Sequence, residues 1–169
     1  LVTILYTSGT MGTPKGVMLS HKNIVSNIKS IIPLIPINCD KKALSFLPLS
    51  HIFERMVTYT YMAVGASVYY AEAMDQLLPT MKEVRPHYFT TVPRLLEKMY
   101  DGIQEEIAER SVLVKRLFQW GIALGERYNG SNKVALGYWL QLKLADWLIY
   151  RRWRALFGGR VEGIIVGAA

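Results

Sequence analysis

Tyr6-Thr7-Ser8-Gly9-Thr10-Met11-Gly12-Thr13-Pro14-Lys15-Gly16 gathers three glycines, four Ser and Thr hydroxyls, one proline and one lysine into eleven residues. Gly9, Gly12 and Gly16 lack a Cβ, which lets the chain take positive φ and turn its own N–H groups toward an anion. Thr7, Ser8, Thr10 and Thr13 add short hydroxyl donors, Lys15 adds a mobile positive charge, and Pro14 stiffens the approach to it. A phosphate chain would meet donors on several sides. The spacing is not that of GxxxxGK[ST], because two residues separate Gly12 from Lys15 and the chain continues extended after the lysine. Leu1 to Thr7 reads as a short β-branched strand and Lys15 to Leu19 as a second, so the stretch joins two strands. An ordinary turn of the same composition competes with the phosphate reading. The density of hydroxyls and the Pro-Lys-Gly ending favour the phosphate.

Outward from this stretch, Ser20 offers an N-cap for a helix from about His21 to Ile32. Ala43 to Leu47 reads as a buried strand, His51 to about Val64 as a helix closed by Gly65 at C′, and Ala66 to Ala71 as a strand. Met74 to Val84 follows as a helix stopped near Arg85-Pro86, then His87 to Val92 as a strand and Pro93 to about Glu109 as a helix with proline at its start. Strands alternating with helices predict an α/β fold, a mostly parallel sheet covered by helices. Two further helices, Ser111 to about Tyr128 and Val134 to about Phe157, joined by a turn over Asn129-Gly130-Ser131-Asn132, break the alternation. They predict a helical insertion over 110–157 before Gly158-Gly159 and a last strand, Val161 to Val166. The chain opens on one strand and stops just after another, at Gly167-Ala168-Ala169, so it reads as one partial domain, 1–169, cut from a longer protein.

The chain has 169 residues, 51% of them apolar, enough for one sizeable core. Cys39 is the sole cysteine, so no intrachain disulfide is available, and no Cys/His spacing suggests zinc. No signal peptide and no long uncharged apolar run are seen, so a cytoplasmic protein is expected. The net charge of +7 is uneven. Residues 110–160 hold ten Lys and Arg against Glu126 and Asp146, whereas residues 1–109 balance ten against ten. The basic region also holds Trp120, Trp139, Trp147 and Trp153. A helical pair with its tryptophans in the interface is one reading, and contact with an anionic membrane surface is the other. No nucleic-acid motif accompanies the charge, so nucleic acid is not an expected partner.

Tyr6 to Val17 resembles the phosphate-binding loop of the adenylate-forming superfamily, usually written YTSGTTGxPKGV, with Met11 where a hydroxyl residue is common. Phe46-Leu47-Pro48-Leu49-Ser50-His51-Ile52-Phe53-Glu54-Arg55 is similar to a second motif of its long-chain acyl-CoA synthetases, and Thr90-Thr91-Val92-Pro93-Arg94 to a third. The 110–157 region resembles their long helical segment.

The resemblance implies a fragment of a large N-terminal domain whose parent uses ATP, with Mg2+ on the phosphates, to turn a long-chain fatty acid into an acyl-adenylate and then, with coenzyme A, a thioester. It implies nucleotide-binding roles for Thr7, Ser8, Gly9, Thr10, Met11, Gly12, Thr13 and Lys15. His51 would border the acyl carboxylate, Arg55 would stand at a pocket gate, and Gly167 and Ala168 would floor the pocket. No catalytic residue is expected within the chain, because the resemblance implies a catalytic lysine on a segment beyond Ala169. No metal ligand is expected within it either. The residues also allow capping by His51, a local Glu54–Arg55 ion pair, and surface or strand-start positions for His21 and His87. A noncatalytic phosphate- or membrane-binding module is the alternative.

Overall fold

The computed structural model describes residues 1–7, 13–128, 130 and 135–167. Strands β1 (Thr3–Thr7) and β2 (Lys15–Leu19) pair antiparallel as a separate two-stranded ladder, with Thr3 opposite Leu19 and Thr7 opposite Lys15. Helix α1 (His21–Ile31) follows at once. Ser20 is its N-cap: Asn23 N donates to Ser20 Oγ at 3.3 Å, and Ser20 N donates back to Asn23 Oδ1 at 2.9 Å. His21 is therefore the first helical residue and leaves the cap to Ser20. A short 3₁₀ turn, Ile32–Leu34, ends the segment at Pro33.

The main sheet holds four parallel strands in the order β4-β3-β5-β6, formed by β3 (Lys42–Ser45), β4 (Ser67–Tyr70), β5 (Tyr88–Thr91) and β6 (Gly163–Val166). Helix α2 (Ile52–Ala63) crosses from β3 to β4, and α3 (Leu77–Val84) from β4 to β5. Gly65 stands after α2 with φ 76°, the left-handed C′ position its composition predicts. The middle strands β3 and β5 are covered on both faces, as parallel strands between helices must be. On one face Ala43 and Tyr88 pack with Val57 and Tyr61 of α2. On the other, Leu44 and Phe89 meet Leu77 and Met81 of α3, and Phe157 stacks on Phe89 at 5.9 Å. Full burial of a side chain such as Phe89 contributes about 2 kcal/mol.

After β5 come α4 (Pro93–Ala108), α5 (Val112–Glu126), α6 (Leu136–Ala145) and α7 (Arg151–Leu156). The last two are the ends of one uninterrupted helical run over Leu136–Leu156, the helix expected over Val134–Phe157, with a π turn at Asp146–Tyr150 inside it. Its Tyr150 hydroxyl donates to Gly121 O of α5 at 2.6 Å, Tyr138 reaches Leu124 O at 2.9 Å, and Phe118 meets Trp153 edge-on at 5.2 Å. The four tryptophans do not share one interface. Trp120 and Trp153 are half-buried, whereas Trp139 is 44% and Trp147 67% exposed.

Candidate functional site at the strand ends and the hairpin

The hairpin brings Thr7 and Lys15 face to face at the loop end of its ladder, and Thr13, two residues before Lys15, is exposed. Ser8, Gly9, Thr10, Met11 and Gly12 lie outside the described residues. So do Ala168 and Ala169, which leaves Gly167 as the described member of the expected pocket floor. The expected phosphate donors that are described thus sit together at one solvent-facing end.

A second site forms where β3, β5 and β6 end on the same edge of the parallel sheet, the place where open α/β sheets hold ligands. From Ser45 the chain runs through Phe46-Leu47-Pro48-Leu49-Ser50 into His51, the N-cap of α2. His51 Nδ1 accepts from Phe53 N at 3.3 Å, so in the neutral ring the proton is on Nε2, which remains the ring's free donor. The capping role is thus compatible with a second contact. His51 lines a cavity of about 270 Å3 with Leu47, Pro48, Ser50, Phe53, Glu54 and Val92. Gly167 backs the same wall: its N–H donates to Thr91 O at 3.3 Å, and a Cβ there would stand 2.6 Å from two carbons of the Phe53 ring. A side chain at 167 would have to displace that ring. His51 and Gly167 are thereby joined through Phe53.

Arg55 goes elsewhere. Its Nε donates to Leu49 O at 2.8 Å and its Nη1 to Thr3 Oγ1 of β1 at 2.8 Å. It lines a separate apolar groove of about 420 Å3 with Leu49, Tyr59, Met62 and Tyr70. The local Glu54–Arg55 ion pair does not form, because the two side chains leave α2 on different faces.

Glu54 turns inward instead. It is 1% exposed, and neither carboxyl oxygen has a hydrogen-bond partner among the described residues. Burial raises its pKa above the ordinary 4.5, while the nearby Ser45 and Thr90 hydroxyls act in the opposite sense with less weight. Buried Ser45, Thr58, Thr90 and Thr91 surround this end of the sheet, and Thr90 Oγ1 lies 3.4 Å from the Tyr61 hydroxyl. Burial also raises the Tyr61 pKa, with Glu54 adding to the effect. The sequence reading left this cluster out. Its signal was the helix spacing of Glu54, Val57, Thr58 and Tyr61, which puts a carboxylate on the apolar face of α2.

The two remaining histidines line neither of these cavities. His21 is exposed, and His87, immediately before β5, accepts from Lys42 N at 3.0 Å through Nδ1. No group of three or more His, Cys, Asp and Glu side chains able to hold a metal ion occurs among the described residues.

A parallel α/β sheet with a pocket at its carboxyl edge and a glycine- and hydroxyl-rich hairpin beside it defines the class. The sequence profile described as AMP-binding enzyme matches residues 1–160, and the chain belongs to that family. It is 37% identical over 174 aligned residues to long-chain-fatty-acid–CoA ligase 5 of Mus musculus, covering 100% of this chain and 24% of the ligase. The chain thus spans about a quarter of that relative's length. The adenylation domain of a carboxylate reductase from Mycobacterium chelonae shares the fold, with a TM-score of 0.60 and 23% identity over 98% of this chain and 22% of its own. The o-succinylbenzoate coenzyme A synthetase of Bacillus subtilis, solved with ATP and magnesium ion, aligns with a TM-score of 0.52 and 25% identity over 59% of this chain and 21% of its own.

Proposed function

We propose that the protein carrying this chain activates a long-chain fatty acid with ATP and transfers the acyl group to coenzyme A. The observation that carries the reading is the hairpin: Lys15 stands opposite Thr7 at the mouth of a glycine- and hydroxyl-rich loop, in a chain matched along its whole length by a long-chain ligase. The acid's carboxylate attacks the α-phosphate of ATP, the bond to pyrophosphate breaks, and an acyl-adenylate forms. The thiol of coenzyme A then displaces AMP. In this reading Thr7, Thr13 and Lys15, together with residues 8–12, hold the departing phosphates and stabilise the charge that collects on them. His51 offers Nε2–H to the carboxylate end of the acid, and Gly167 keeps the wall behind it flat. Arg55 acts on the approach to the pocket. Mg2+ would ride on the phosphates and neutralise part of their charge, without a carboxylate cage from the described residues.

The test is acid-dependent exchange of pyrophosphate into ATP by the intact protein. Exchange with long-chain acids should fall on the order of 100-fold in Lys15→Ala. Intact, folded, ATP-binding protein that gives no exchange with any carboxylate would overturn the reaction and leave a noncatalytic module in its place.

The same reading puts the protein in the cytoplasm with α6 resting on a membrane surface. Leu136, Leu140, Leu144 and Trp147 recur on an exposed helical stripe, with Lys143, Arg151 and Arg154 nearby in sequence. No helix among the described residues is long and apolar enough to cross a bilayer. An exposed apolar stripe with basic residues nearby in sequence suits the headgroup layer, where an acid that partitions into lipid would be met, although Arg154 is already paired with Asp146. Recovery with sedimented anionic vesicles should exceed that with neutral vesicles and drop in Trp147→Ala; equal recovery with both would sink the electrostatic contact.

A further inference from the structure

We propose that Glu54 is a positioning residue whose carboxyl seats the start of α2, and with it His51, on the ends of β3 and β5. It stands one turn after His51, third in the helix, where a glutamate ordinarily turns outward to bond the N-cap N–H. Here the His51 N–H is already given to Pro48 O at 3.0 Å, and Glu54 points into the protein. Both its oxygens are closed to solvent, although the residue also contributes to the lining of the His51 cavity.

What faces it is a set of neutral hydroxyls. Ser45, the last residue of β3, and Thr90, on the α2 face of β5, stand close enough to act on its carboxyl, and Thr58 lies one turn further along α2, all buried. The hydroxyls of Ser45 and Thr58 have no hydrogen-bond partner among the described residues. A protonated Glu54 has one O–H to donate and oxygens that accept, so it can both give to and take from these hydroxyls; the hydroxyls by themselves favour the carboxylate, and burial outweighs them.

Among the described residues no cation pairs with Glu54: on α1, which packs against α2, His21, Lys22 and Lys29 are exposed. On α2, Arg55 is turned to Thr3 and Leu49, and His51 uses Nδ1 at the cap. Tyr61 faces Thr90. From the strands, Lys42 of β3 lies toward Val84 O and the Tyr69 ring of β4, and Tyr88 of β5 gives its hydroxyl to Pro36 O. β6 brings no titratable side chain in Gly163–Val166. Burial therefore dominates and holds the carboxyl neutral beyond the normal glutamate range.

The sign follows directly. Folded protein keeps the proton that unfolded protein loses near the ordinary 4.5, so this contribution is whole below that value and is lost as pH rises through the raised folded value. Ionisation loosens the seat of α2 and moves His51.

The test uses the intact protein and, for its kinetic arm, rests on the ligase reading. Glu54→Ala should raise the KM for the acid about tenfold, while the KM for ATP moves much less. Glu54→Gln, which keeps a neutral donor, should restore most of that loss and flatten the alkaline fall of acid-dependent exchange. A second arm needs no substrate: the wild-type melting temperature should fall as pH rises above the glutamate range, and Glu54→Gln should remove that part of the fall. The melting arm decides the matter if the alanine variant does not fold or if no exchange is found with any acid. A wild-type pH profile in Glu54→Gln, in melting or in exchange, overturns the proposal, as does an unchanged acid KM in a folded Glu54→Ala.

Discussion

Both the β1–β2 hairpin and the ends of β3 and β5 are rich in hydroxyls, yet they treat them oppositely. Every residue of the hairpin strands is exposed or half-exposed, whereas all four residues of β5 are buried. In the hairpin, hydroxyls and Lys15 remain hydrated and can exchange water for a phosphate at little penalty. At the strand ends, Ser45, Thr90, Thr91 and Glu54 have already lost their water, so their value lies in holding neighbouring elements in place. On the proposed reading, solvent access separates groups that bind from groups that position.

Lys15→Ala is the largest break in that contrast. It should abolish most exchange activity and leave the melting temperature unchanged, since the exposed side chain supports no packing. A melting temperature that falls as steeply as activity would show that the hairpin also carries structure. Gly167→Ala probes the other side. The new Cβ would meet the Phe53 ring at 2.6 Å, forcing ring or strand to move at a cost of about 1–3 kcal/mol. Melting should register the loss and the KM for the acid should rise more than the KM for ATP. Unchanged melting and an unchanged acid KM would mean that Phe53 has room to retreat and that Gly167 does not shape the pocket.

Sequence made the two regions unequally legible, for the same physical reason. The motif read as a phosphate loop is local, since glycine spacing, hydroxyls and Lys15 lie within a few residues and the flanking strands Thr3–Thr7 and Lys15–Leu19 follow from β-branched runs. The Ser20 cap and the Gly65 stop were readable because caps depend on neighbouring residues alone. Phe46 and Leu47 look like the end of a buried strand but lie past Ser45, where the chain leaves the ladder, Phe46 packing on Phe89 and Leu47 lining the cavity. The π segment at Asp146–Tyr150 was hidden because its register follows contacts such as Tyr150 with Gly121, 29 residues away. Glu54 reads as half of an ion pair until the fold turns Arg55 toward Thr3, 52 residues before it.

That Arg55 contact joins the two regions and supplies the smallest effect. Its guanidinium ties β1, through Thr3, to Leu49 on the segment that leads into His51. The planar fork suits two acceptors at once, which a lysine ammonium on a flexible stem does not reproduce with the same geometry. Arg55→Ala should lower stability by only about 1–2 kcal/mol, the range for hydrogen bonds from a half-exposed charged donor. Its kinetic effect should be broader than that of the larger changes, raising the KM for ATP and for the acid together, because hairpin and pocket lose their common strut. Arg55→Lys should recover little of either. Thr3→Val removes the hairpin end of the strut while leaving Leu49 bonded, so it should raise the KM for ATP and spare that for the acid. Adding Arg55→Ala to Thr3→Val should then give no more ATP defect than Arg55→Ala alone. Fully additive defects would show that Thr3 and Arg55 act separately, and the two regions would then be neighbours without a mechanical link.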